Sequence, residues 1–179
     1  MAARVVVMGV SGCGKSAVAD GLGAALGVSV VDGDHLHTLE AVATMRAGTP
    51  LTDEDRRPWL AALNAELCDR AALGQRVVLA CSALRQRYRD SLAANVPAVH
   101  WIFLDGSVEE IAARMRARDD DYLHPFPQLN LGSCRVLHLD GHQSDAALHY
   151  ARSDLFERRV VGLRDVLDHW AARARTGPG

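Results

Sequence analysis

The stretch Gly9-Val10-Ser11-Gly12-Cys13-Gly14-Lys15-Ser16 decides the fold of this 179-residue chain. It follows an apolar, β-branched run at residues 4–8 and precedes a helix-prone run that reaches Leu26. The spacing G-x-x-x-x-G-K-[ST] is that of a loop that cradles phosphates between a strand and a helix. Glycines allow backbone conformations that other residues avoid, and the amides of the loop and of the helix N-terminus form an anion site. We therefore predict a phosphate-binding loop.

Two residues at the end of this loop supply charge and metal-binding chemistry. Lys15 is expected to neutralise the β- and γ-phosphates of ATP, and the Ser16 hydroxyl is expected to bind Mg²⁺. All eight residues from Gly9 to Ser16 are predicted to contact ATP, so ATP and Mg²⁺ are the predicted cofactors. A glycine-rich turn that merely precedes Lys-Ser is the alternative, but it leaves the strand–turn–helix context unexplained.

The composition is that of one ordinary globular domain, with 49% hydrophobic and 23% charged residues. A net charge of −2 gives no reason to expect a nucleic-acid or membrane partner. No stretch approaches the roughly 20 apolar residues of a membrane span, and the N-terminal apolar run is too short for a signal peptide. Four scattered cysteines lack metal-ligand spacing. We predict a single cytoplasmic domain over residues 1–179 with reduced thiols, of which Cys13 is the one exposed to oxidants.

Apolar runs alternate with amphipathic stretches along the chain, which is typical of a parallel sheet covered by helices. The predicted strands are Val5–Met8, Val28–Val31, Val77–Cys81, Trp101–Leu104 and Val136–Leu139. The predicted helices are Lys15–Leu26, Pro58–Leu73, Ala83–Ala93 and Val108–Arg118. This order indicates an α/β domain.

The segment Asp32-Gly33-Asp34 follows the second predicted strand. Ligands bind beyond the carboxyl ends of the strands in an open parallel sheet, so Asp34 is expected near the phosphate loop. A carboxylate there can accept the proton of an attacking hydroxyl or hold Mg²⁺ through water. An Asx-turn is the alternative, because Asp-Gly-Asp is also good turn chemistry. The position after a phosphate loop favours the catalytic role.

Arginines form the second group of candidate site residues. Arg56 and Arg57 precede a Pro-Trp pair in a segment that Thr52 or Asp53 can cap, and an arginine there could clamp an anionic or polyhydroxylated substrate. Arg114 and Arg118 are four residues apart on one helix face, where they could stabilise charge on a transferring phosphoryl group. A solvated basic face is the alternative for the second pair.

Four motifs together resemble those of the gluconate kinases (gluconokinases). They cover about residues 4–118 and are Gly9–Ser16, Asp32-Gly33-Asp34-x-Leu36-His37, Met45-x-x-Gly48-x-Pro50-Leu51-x-Asp53-x-Asp55-Arg56-x-Pro58-Trp59-Leu60 and Cys81-Ser82-Ala83-Leu84-x-x-x-Tyr88-Arg89-Asp90. The resemblance implies a three-layer P-loop kinase fold of the nucleoside-monophosphate-kinase type, with a parallel sheet and helices on both faces. It implies phosphorylation of D-gluconate to 6-phospho-D-gluconate by ATP, often in homodimers.

The residue patterns and the resemblance together give the candidate segments and site residues. A substrate-binding segment is expected at about residues 35–60 and a lid at about residues 115–135. Lys15, Asp34, Arg114 and Arg118 are the candidate catalytic residues. Asp34, His37, Arg56 and Arg89 are the candidate substrate contacts, and His37 and Arg56 match family motif positions.

The sequence also departs from the family pattern. Thr38, Ala41 and Thr44 stand where the family usually has Pro, Asn and Lys, and residues 122–179 do not follow the family's lid sequence. Two alternatives therefore stay open. One is a kinase of the same fold that acts on shikimate, adenylyl sulfate or a nucleoside. The other is a nucleotide-binding protein without kinase turnover.

Overall fold

The computed structural model describes residues 4–116 and 135–139. Within these ranges the strands are β1 (Arg4–Met8), β2 (Ser29–Asp32), β3 (Val77–Ala80), β4 (Val99–Asp105) and β5 (Arg135–Leu139). The α-helices are α1 (Lys15–Leu26), α2 (Leu39–Arg46), α3 (Asp53–Ala72), α4 (Gln86–Ala93) and α5 (Val108–Arg116). A short 3-10 helix covers Gly33–Leu36.

The strands form one sheet in the order β2-β3-β1-β4-β5. The first four are parallel, as the sequence predicted. The fifth predicted strand is present, but β5 pairs antiparallel to β4, with Trp101 opposite Leu139. Because β1 lies in the middle of the parallel part, the loop that follows it emerges at the centre of the carboxyl edge, where ligands bind in such sheets.

Both faces of the sheet are covered, which gives the predicted three layers. Val6 and Met8 of β1 belong to a buried cluster with the apolar side chains of α3 and α4. Val5 and Val7 belong to a second cluster, on the other face, with side chains of α1. Neighbouring residues of a strand point to opposite faces, so a continuous apolar run is what a strand buried on both sides requires.

Helix α3 begins earlier than the sequence predicted, at Asp53 instead of Pro58. The reason is a capping box, in which the Thr52 hydroxyl accepts from the Asp55 amide and the Asp55 carboxylate accepts from the Thr52 amide. Helix α4 begins later than predicted, at Gln86, because Ala83 has a φ of 40° and cannot join the helix. Helix α2 was not predicted; Thr38 caps it by accepting from the Ala41 amide.

Several predicted features lie outside the described residues. They are Arg118, almost all of the predicted lid at residues 115–135, and residues 122–179 apart from β5. Among the helices that the model does describe, none combines the length and the apolar character needed to cross a membrane.

Candidate active site

The phosphate loop runs from Gly9 to Gly14 and joins β1 to α1. Gly9, Gly12 and Gly14 have φ angles of 146°, 79° and 100°, all in the range that favours glycine. A Cβ at Gly9 would lie 2.7 Å from the carbonyl oxygen of Leu104, and one at Gly12 would lie 2.8 Å from Cγ of Met115. A Cβ at Gly9 would collide with the main chain, and one at Gly12 would displace the Met115 side chain, so the glycine spacing reflects both backbone conformation and close packing.

Helix α1 presents its N-terminus to this loop. Its first turn contains no acidic residue of its own, and the partial positive charge at this helix end favours a bound anion. Lys15 is half-buried, and its ammonium group donates to the Val10 carbonyl oxygen at 3.1 Å. The lysine is thus folded over the loop, where phosphates are predicted to bind.

Asp32 is the functional candidate that our sequence analysis missed. The Ser16 hydroxyl donates to its Oδ2 at 2.6 Å, and the Asp34 amide donates to its Oδ1 at 3.0 Å. Hydroxyl and carboxylate oxygens are the donors that Mg²⁺ prefers, so this pair fits the predicted cation. The available signal was its position as the last residue of β2, at the carboxyl edge of the sheet.

The Asx-turn and the catalytic interpretation of Asp34 are compatible in the structure. The turn is made by the Asp32 carboxylate and uses only the amide of Asp34. The Asp34 side chain is exposed, so its carboxylate is accessible to a hydroxyl. Gly33, directly before it, is buried, and a Cβ there would lie 2.7 Å from the carbonyl oxygen of Ala80 in β3. This close packing fixes Asp34 at the edge of the sheet.

His37 lies against the face of a tryptophan. Its ring stacks on Trp59 of α3, with 4.4 Å between the centroids and 11° between the planes. Burial is the main cause that lowers the pKa of His37; the Arg56 charge lowers it further and the Asp34 carboxylate opposes both. The imidazole is therefore neutral at pH 7. Its Nδ1 is buried and has no hydrogen-bond partner among the described residues.

The two adjacent arginines at the start of α3 lie in different environments. The Arg57 side chain is 73% exposed and pairs with Glu54 on the helix surface. Arg56 is half-buried, donates to the Leu51 carbonyl oxygen, and lies 5.9 Å from the ring centroid of Tyr88. Its charge also reaches His37. Arg56 is thus the arginine on the side of the candidate substrate segment, as the motif match implies.

Arg89 occupies a different environment from the one expected of a substrate contact. It is 2% exposed, and its guanidinium donates to the Ala83 carbonyl oxygen at 3.0 Å and to the Gln86 side chain at 2.8 Å. A side chain so buried offers almost no surface to a ligand. These contacts give Arg89 a structural role in holding the turn before α4, and the substrate contact stays a prediction.

Helix α5 brings Arg114 to the phosphate loop. Its guanidinium donates to the Cys13 carbonyl oxygen at 3.4 Å, so this candidate lies where phosphate charge is expected. The Cys13 thiol is 2% exposed, and its Sγ packs beside Gly9. Our expectation that Cys13 is exposed was therefore wrong. The side chain points under the loop while its carbonyl faces Arg114.

Comparisons with known proteins agree with this geometry. A family model described as an AAA domain matches residues 5–131. A gluconokinase from Arabidopsis thaliana is 40% identical over 133 residues, which cover 69% of this chain and 70% of the relative. The chain belongs to the gluconokinase family. The crystal structure of a gluconokinase from Sinorhizobium meliloti 1021 matches with a TM-score of 0.65 and 32% identity, over 97% of this chain and 94% of the other.

The alignment with a third family member is longer. A probable gluconokinase from Xenopus tropicalis is 37% identical over 153 residues, which cover 86% of this chain and 77% of the relative. An alignment of that length must include residues beyond 118. Similarity to the gluconokinases is therefore not confined to the four motifs that first indicated the family.

Proposed function

We propose that this gluconokinase-family chain transfers the γ-phosphoryl group of ATP to the primary hydroxyl of D-gluconate and releases ADP and 6-phospho-D-gluconate. The observation that carries the proposal is the bond between Ser16 and Asp32. It joins the nucleotide side of the site to the segment that presents Asp34. A phosphate donor and a hydroxyl acceptor can therefore meet at one edge of the sheet.

On the nucleotide side, the loop amides and the α1 N-terminus would receive the phosphates. Lys15 would exchange its contact with the Val10 carbonyl for a phosphate oxygen. Ser16 and Asp32 would hold Mg²⁺, which when bound supplies positive charge to the phosphate oxygens. The fit rests on the oxygen donors of these two residues, which lie 2.6 Å apart.

On the acceptor side, Asp34 is the proposed general base. A bond forms between the substrate's primary hydroxyl oxygen and the γ-phosphorus, the bond from that phosphorus to the bridging oxygen breaks, and the hydroxyl proton passes to the Asp34 carboxylate. No covalent enzyme intermediate is needed, so catalysis consists mainly of positioning and electrostatics. The exposed Asp34 side chain is available for this role.

Two further side chains are proposed to hold the sugar acid. The neutral His37 imidazole would hydrogen-bond to substrate hydroxyl groups, because these groups are uncharged and do not require a charged partner. The Arg56 guanidinium would bind the carboxylate, because its planar fork matches two carboxylate oxygens. Arg114, which already contacts the loop, would stabilise the transferring phosphoryl group, and we propose the same role for Arg118.

A substrate panel tests the proposal. Turnover of D-gluconate, shikimate, adenylyl sulfate and a nucleoside is measured with ATP and Mg²⁺, with Lys15→Met as the matched inactive control. The proposal requires kcat/KM to be highest for D-gluconate and lost in the control. Higher kcat/KM for another acceptor would assign that acceptor instead.

We also propose that the protein is a cytoplasmic homodimer, and light scattering of the purified protein tests the assembly.

A further inference from the structure

Trp59 contacts both ends of the segment that presents Asp34. Its indole N–H donates to the Gly33 carbonyl oxygen at 2.7 Å, directly before Asp34. Its ring stacks on His37, three residues after Asp34, at 4.4 Å between centroids. The residue is 2% exposed, so both contacts are made inside the protein.

Neither contact is required to fill the core. The other buried residues along the same helix face are aliphatic, namely Leu60, Leu63 and Leu67. An indole here brings a polar N–H that needs a partner once it is buried. The partner is the carbonyl of Gly33, itself a buried residue. A hydrogen bond is directional, so this pair fixes the main chain beside Asp34 in a way that an aliphatic side chain could not.

Helix α3 therefore contributes two residues to the acceptor side of the site. Arg56, one turn before Trp59, is the proposed ligand of the substrate carboxylate. Trp59 shares that helix face, as residues three apart do; it is buried in the core and reaches the main chain of the neighbouring segment. The rigid geometry of one helix thus links the carboxylate ligand to the placement of the base.

We propose that Trp59 is a positioning residue for phosphoryl transfer, which holds Asp34 through the Gly33 carbonyl and His37 through its ring. This inference rests on the proposed roles of Asp34 and His37. It explains in physical terms how the motif that contains Trp59 and the motif that contains Asp34 build one site, although they lie on different elements.

Two substitutions separate the two contacts. Trp59→Phe keeps an aromatic ring for His37 but removes the N–H, so kcat should fall by about tenfold or more while the KM for ATP stays near the wild-type value. Trp59→Leu removes both contacts and should also raise the KM for D-gluconate. Leu67→Ala, in the same helix and the same core cluster, is the control: it should lower Tm while leaving both KM values near wild type.

A second measurement needs no substrate. Diethyl pyrocarbonate modification of His37, followed by peptide mass spectrometry, should be slow in the wild type and in Trp59→Phe and several-fold faster in Trp59→Leu, which uncovers the imidazole. If Trp59→Leu does not fold, Trp59→Phe alone must show the kcat loss.

The outcomes distinguish the two proposals. Trp59 variants that behave like Leu67→Ala, with lower Tm but unchanged kcat and unchanged His37 reactivity, would overturn the positioning role. A wild type that does not phosphorylate D-gluconate would contradict the proposed function instead, while the reactivity of His37 would still decide whether the Trp59 ring holds it.

Discussion

The Ser16 hydroxyl donates a 2.6 Å hydrogen bond to Oδ2 of Asp32 and so ties the first turn of α1 to the end of β2. The two elements are consecutive in sequence, but β2 does not pair with β1, because β3 lies between them. The bond therefore closes the crossover connection at the carboxyl edge of the sheet. It places a hydroxyl and a carboxylate, two oxygen donors for Mg²⁺, between the phosphate loop and the segment that presents Asp34.

Replacing Asp32 should weaken the use of Mg²⁺. Asp32→Asn keeps the shape of the side chain but removes its charge, so the apparent Mg²⁺ affinity should fall by about tenfold to a hundredfold. The measurement is a Mg²⁺ titration of kinase activity at saturating ATP. Asp20→Asn, an exposed carboxylate of α1, is the control. Equal Mg²⁺ dependence in both variants and in the wild type would exclude Asp32 from the cation site.

Replacing Asp34 should stop transfer without preventing nucleotide binding. Loss of a general base costs about 10²–10⁴-fold in rate, so kcat for Asp34→Ala should fall by that amount while ATP still binds, as measured by calorimetry. His35→Ala changes the adjacent exposed residue and should retain activity. A near-normal kcat for Asp34→Ala would leave Asp34 as a turn residue only.

The paired arginines of α3 offer a matched comparison. Arg56→Ala should raise the KM for D-gluconate by about tenfold to a hundredfold, the effect of losing a charge-assisted hydrogen bond. Arg57→Ala removes a 73% exposed side chain from a surface ion pair and should leave the KM unchanged. Steady-state kinetics with saturating ATP provide the measurement. Similar KM values for the two variants would contradict the assignment of Arg56.

The lowered pKa of His37 predicts sensitivity to acid. Its pKa in the folded state lies below the ordinary value of 6.5, so as the pH falls through that value the unfolded chain takes up a proton first and stability declines. His37→Phe keeps a ring against Trp59 and removes this contribution. The Tm of the His37→Phe variant should therefore fall less than that of the wild type between about pH 7.5 and about pH 5.5. The control is His35→Asn, at an exposed histidine, and its Tm should fall as much as that of the wild type. Equal losses in all three proteins would refute the effect.

Local patterns were sufficient to predict the phosphate loop, the four parallel strands and the position of Asp34 beyond the carboxyl end of β2. They could not predict α2, because Leu39 is 86% exposed and Ala41 is its only buried residue. A helix that buries so few residues shows no repeated spacing of apolar residues in its sequence. The antiparallel direction of β5 could not be predicted either, because the sequence of a strand does not show in which direction its neighbour runs.

Burial and tertiary contacts explain the side-chain environments that the sequence did not predict. Asp32 and Asp34 are both compatible with the turn pattern, and the approach of Ser16 in the folded chain distinguishes Asp32. Arg89 is charged, yet α4 turns it into the interior, where Ala83 and Gln86 accept from it. Cys13 lies in an exposed-looking loop, but its side chain packs beneath Gly9. Tertiary contacts, which the linear pattern does not contain, determine each of these environments.

The most direct test of the account is detection of 6-phospho-D-gluconate, by mass spectrometry, after incubation of the wild-type protein with ATP, Mg²⁺ and D-gluconate. The account predicts product formed in equimolar amount with ADP, and none in the Lys15→Met control. ATP binding without any 6-phospho-D-gluconate would contradict the proposed activity.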